Sequence, residues 1–125
     1  MQQVNSSADA LYQLSPESAE ALKTFQQGLE NNSLETMREI YTVTFDMQPF
    51  CYPYIGYCLF GESYKRGAFM AQLNEAYRKF DFSASQELPD HLPVVLRFLS
   101  LQAVDIEDEF CQALIYEGIL PALEK

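Results

Sequence analysis

Tryptophan is missing from the 125 residues, and there is a single histidine. The three cysteines, Cys51, Cys58 and Cys111, are odd in number and form no C-x-x-C pair. Their spacing fits neither a disulfide framework nor a known zinc pattern, so no bound metal is expected. The chain reads as reduced and cytoplasmic. Bases are scarce, with 8 Lys+Arg against 18 Asp+Glu and a net charge of −10. That balance argues against a phosphate-neutralising face, so no nucleic-acid partner is expected. It also opposes docking on an anionic membrane. A basic partner, or solubility alone, fits better. Long apolar runs are lacking too. The best stretch, 92–104, is broken by Arg97 and Gln102 and falls short of the roughly 18 residues a membrane helix needs. The opening Met-Gln-Gln-Val-Asn-Ser-Ser has neither the basic nor the apolar region of a signal peptide.

What remains is helical. The hydrophobic fraction is 48%, enough for a core in one domain, 1–125, with 1–14 poorly ordered or a partial first helix. Ser15 followed by Pro16 and Glu17 starts a helix carrying Ala19, Leu22, Phe25 and Leu29, which Asn31 and Asn32 end. Ser33 caps the next, with the stripe Leu34, Met37, Tyr41 and Phe45. Residues 46–60, aromatic and broken by Pro49 and Pro53, predict a loop and a short helical turn. A deeply packed helix is expected over 62–80, with one apolar line of Phe60, Tyr64, Ala68 and Ala71 and another of Phe69, Leu73, Tyr77 and Phe80. Asp90 is placed to cap a helix reaching Leu101, with Pro93 in its first turn. The last helix is expected from Asp105, ended or kinked by Gly118 and Pro121. The fold class is all-α, a bundle of five or six helices.

Charge is uneven. Residues 1–40 carry six acids and two bases, 41–86 four of each, and 87–125 eight acids and two bases. The neutral middle holds most of the aromatics. Its run Tyr52, Tyr54, Tyr57, Phe60 and Tyr64 fits either core packing or a peptide groove, where tyrosine offers an apolar body and a polar tip. Gly61 to Gly67 is neither a phosphate loop nor a nucleophile elbow. His91, next to Asp90, could serve a small hydrolase, but no paired nucleophile stands at a recognisable spacing.

Three blocks carry a resemblance: Tyr41 to Asp46, Gly61 to Gly67, and Glu87 to Pro93 with Leu96, Phe98 and Leu99 behind it. In order and spacing, over about residues 16–124, they resemble the nitrate-reductase delta-subunit type of assembly chaperone, related to the chaperones of DMSO and TMAO reductases. The resemblance implies an all-helical cytoplasmic chaperone without turnover. Such a protein binds the N-terminal segment, often a twin-arginine signal, of a molybdoenzyme's apo catalytic subunit. It supports insertion of the molybdenum cofactor, which belongs to the client, and blocks premature export or membrane docking. It nominates Tyr57, Phe60, Gly61, Glu62, Arg66, Pro89, Asp90 and His91 as the peptide site. A peptide with arginines and an apolar stretch wants carboxylates beside aromatics, which adds Glu87 to Glu62 and Asp90, with Tyr54 beside Tyr57 and Phe60. The alternative is an interaction domain without a groove. Cys58 stands where related chaperones commonly carry a histidine. The chain is also short for that family. A trimmed member would expose an apolar face that dimerisation or helix exchange could cover, so monomer and domain-swapped dimer are both open.

Overall fold

The computed structural model describes residues 2–47 and 52–124, which leaves Cys51 and Pro49 outside the described residues. The fold is all-α: no β-strand forms among the described residues, which hold one isolated antiparallel bridge, Tyr54 with His91. No helix described is long and apolar enough to cross a membrane. The chain divides into two compact units, Met1–Gln48 and Pro49–Lys125.

In the first unit, α1 (Gln2–Tyr12) and α2 (Pro16–Asn31) pack against each other. Ala8 of α1 and Ala19 of α2 are both fully buried. The Ser15 side chain accepts the Ser18 N–H, and Asn32 is the C-cap, so α2 starts and stops where its capping residues dictate. The expected stripe is only partly covered: Phe25 is exposed, while Gln26 is buried and donates to Glu30 Oε1 at 2.9 Å. Ser33 caps α3 (Leu34–Tyr41), which runs on as a π-helical stretch, Thr42–Met47. Tyr41 and Phe45 stack there at 4.8 Å between ring centroids, as helical spacing requires.

The second unit has a core of its own. Its short helix α4 (Ile55–Phe60) is followed by α5 (Tyr64–Lys79) and α6 (Leu92–Leu99). Then come α7 (Glu109–Ala113), a π-helical stretch Leu114–Ile119, and α8 (Leu120–Leu123). Leu73 and Tyr77 of α5, Val94, Val95 and Phe98 of α6, and Leu114 and Ile119 close around Ile55. Tyr77, Phe82 and Phe98 form a ring cluster with centroids 4.8–5.7 Å apart. The apolar contact comes mainly from the line through Phe69, Leu73 and Tyr77. The other line fails as core: Tyr64 is 85% exposed, and Ala68 and Ala71 are exposed with it. Phe60 belongs to α4 and turns toward Phe69, and the two alanines left beside Tyr64 offer too little apolar area to hold that face inside.

One cap and one helix end fall elsewhere than expected. The last helix starts at Glu109 with Asp108 as its N-cap, because Asp105 is used in a turn that accepts the Glu107 N–H. Pro121 follows directly on the π-helical stretch with the backbone still helical around it, and the chain stays helical to Leu123.

The Tyr77 hydroxyl donates to the Pro89 carbonyl at 2.7 Å, a buried bond that anchors the segment before α6 onto α5. Tyr77→Phe leaves that carbonyl unpaired and should cost about 1–3 kcal/mol in urea unfolding. Burial also raises the Tyr77 phenol above its ordinary 10.0. Its folded pKa lies above its unfolded one, so the stability it contributes is complete below pH ~10 and declines as pH rises further. Melting curves of Tyr77→Phe should show a shallower alkaline loss than the wild type.

Candidate functional site

The site begins with a carboxylate inside the protein. Asp90 is fully buried. Its Oδ2 accepts the Arg66 Nε–H at 2.9 Å and the Gly56 N–H at 3.1 Å, and its Oδ1 accepts Arg66 Nη2 at 3.3 Å. A buried carboxylate is tolerated only when paired and hydrogen-bonded, and here both oxygens are engaged. Asp90 therefore does not cap α6, whose N-cap is His91 and has no side-chain cap bond. It caps α4 instead, from 34 residues away.

The capping is mutual. Tyr54, the N-cap of α4, makes no side-chain cap bond. The first N–H of α4, from Ile55, goes to the Asp90 carbonyl at 2.9 Å, and the second, from Gly56, to its carboxylate. In return the Leu92 N–H, first in α6, donates to the Pro53 carbonyl at 2.7 Å. Each segment thus satisfies orphan donors of the other's helix. Gly56 is required by space: a Cβ there would stand 2.7 Å from Asp90 Oδ2 and 3.0 Å from Arg66 Cγ.

This clasp lines up a row of rings. Tyr52 and Tyr57 stack at 4.5 Å between centroids. The Arg66 guanidinium lies 5.7 Å from the Tyr57 ring and 5.5 Å from the Tyr54 ring. Tyr54 in turn lies 5.2 Å from the His91 imidazole, and its hydroxyl donates to Glu87 Oε1 at 3.4 Å. His91 Nδ1 is buried without a hydrogen-bond partner, 3.7 Å from Glu87 Oε2, a distance for charge attraction only once the imidazole is protonated. Arg66 is held protonated first by its bond to Asp90. The Tyr57 phenol is pushed up chiefly by the neighbouring Tyr52.

Six of the nine residues singled out from the sequence gather here, in two groups. Tyr57, Arg66, Glu87 and His91 belong to the row, with Tyr54 between them; Pro89 and Asp90 lie buried beneath it. Asp90 has no carboxylate left for a basic partner, because Arg66 and Gly56 take both oxygens. Glu62 and Glu87 are the exposed carboxylates of the set. Phe60 points away toward Phe69, at 6.0 Å, and stays 37% exposed. Gly61 ends α4 at φ +61°, a left-handed turn that favours glycine. His91 also faces a cleft of about 340 Å³ shared with Ser85, Glu87 and Arg97. Cys58 Sγ donates to the Tyr52 carbonyl. Among the described residues no group of three His, Cys, Asp or Glu is arranged to hold a metal. Gly56 and Tyr77 had no sequence signal beyond a glycine opening a short helix and an apolar stripe.

The clasp makes two substitutions diagnostic. Arg66→Gln strands a buried carboxylate and should cost about 3–5 kcal/mol in urea unfolding. Gly56→Ala, which adds only a methyl group, should still cost about 1–3 kcal/mol, because Asp90 and Arg66 must move.

Set against known proteins, residues 12–120 match the model of one family, described as the nitrate reductase delta subunit. Neither the curated proteins nor the solved structures yield a match.

Proposed function

The chain belongs to the nitrate reductase delta subunit family, a family of molybdoenzyme assembly chaperones that work with a nitrate reductase catalytic subunit, and from that premise we propose a peptide-binding role for its aromatic row. The partner segment is the N-terminal or signal peptide of the apo catalytic subunit. Binding takes place in the cytoplasm, before export or membrane docking, and keeps the client receptive while molybdenum cofactor is inserted. The cofactor is the client's and makes no lasting bond to this chain.

One observation carries the reading. Tyr52, Tyr57, Arg66, Tyr54, His91 and Glu87 make an unbroken series of contacts along the second unit, although they come from three separate stretches of sequence. Asp90 neutralises Arg66 from inside, which leaves two exposed carboxylates for a partner, Glu87 in the row and Glu62, whose charge acts on Tyr57. Tyrosine faces beside exposed carboxylates suit a segment bearing arginines and apolar residues. A hydrolase would need the imidazole of His91 oriented by Asp90, and that carboxylate is committed to Arg66 and to the Gly56 N–H.

Titration calorimetry of the whole chain with the N-terminal peptide of its catalytic-subunit partner checks this. Binding should weaken with added salt, and Glu62→Gln with Glu87→Gln should reduce affinity several-fold without loss of helicity, each exposed pair contributing about 0.2–1 kcal/mol. An affinity indifferent to both substitutions and to salt would remove the assignment.

A further inference from the structure

Two cavities of the second unit lie apart from the aromatic row. The larger, about 480 Å³, has a floor of Ala76, Phe98, Val104 and Cys111. The smaller, about 220 Å³, is walled by Leu59, Phe69 and Leu114, with Phe60 at its edge. Gln72 and Phe110 line both, so the two are halves of one groove along α5. Glu75, Asp105 and Asp108 stand on the rim of the larger half and Glu117 on that of the smaller. Lys79 is the one base among the described lining residues.

The floor is inert. Burial first, then the Asp108 and Asp105 carboxylates, push the Cys111 thiol up, so it stays protonated and serves as a small apolar wall. Asp105 and Asp108 line the same half of the groove as Cys111, so the rim carboxylates stand close to its apolar floor. An apolar trough under four carboxylates and one ammonium is complementary to apolar side chains flanked by positive charge.

We propose that this groove is a second docking surface, which takes a segment of the client protein whose apolar anchors are flanked by lysine or arginine. The inference rests on the reading that the chain binds a client, but it uses different residues from the aromatic row.

The test uses the whole chain and two synthetic probes. One is a basic peptide with leucine and phenylalanine on one helical face; the other is the same composition scrambled to break that face. Gln72 and Glu75 are exposed on α5, so Gln72→Trp, which plugs the junction of the halves, and Glu75→Lys, which reverses a rim charge, should leave the circular dichroism unchanged. Calorimetry should give a tightest site for the first probe that weakens about tenfold in each variant, with a comparable loss for the scrambled probe. The N-terminal peptide of the catalytic subunit should keep its affinity for Gln72→Trp. If that peptide binds while the amphipathic probe does not, or if the probe binds Gln72→Trp or its scrambled form equally well, the groove proposal fails and the aromatic row stands. If the probe shows the expected losses while the N-terminal peptide fails to bind, the groove stands and the reading of the row fails.

Discussion

A carboxylate buried with both oxygens engaged sets the geometry of the second unit. Asp90 joins three pieces that sequence keeps far apart: the start of α4, the first turns of α5 and the segment entering α6. Desolvating a carboxylate costs several kcal/mol, and only a matched set of donors offsets that. Here a guanidinium and a backbone N–H do so, and the reward is positional. Pro53 to Gly56 and Asp90 to Leu92 can meet in one register only, fixed by the two backbone bonds that make the bridge between Tyr54 and His91. Buried ionic groups are weak evidence for stability, and the use assigned to this one is to fix an arrangement.

That arrangement decides what reaches the surface. Arg66 spends its charge inward on Asp90, which frees its flat face to lie beside Tyr54 and Tyr57. Tyr54 is pinned through its hydroxyl to Glu87 and through its ring beside His91. Of the two readings the sequence left open for the aromatic run, core packing or a peptide groove, core packing does not hold for Tyr52, Tyr54 and Tyr57, none of which is buried. They form a shelf braced from beneath, with Tyr77 holding Pro89 at the back. Rigid tyrosines suit recognition because little conformational freedom is lost when a partner arrives.

The helices were largely legible from local signals. Ser15 and Ser33 cap as their side chains suggest, and Asn32 stops α2. Legibility ended where the outcome depended on distant partners. Asp90 reads as a cap for the helix that follows it, and nothing local reveals that it would cap α4 instead. Gly56 looks like an ordinary loop glycine until the carboxylate packed against it is seen. The paired lines on α5 looked equally apolar, although one was built on alanines and stayed outside. Three blocks of sequence pointed to the right family and to most of the row. They could not say that Asp90 is buried beneath the row while Glu87 and Glu62 face outward.

Chemical-shift mapping of the labelled chain, titrated with the N-terminal segment of its catalytic-subunit partner, tests the central claim most directly. Perturbations should gather on Tyr54, Tyr57, Glu62, Glu87 and His91, with the Arg66 and Gly56 signals moving little because the clasp is already set. Perturbations confined to residues 2–47, or none at saturating peptide, would contradict the assignment of this shelf as the binding surface.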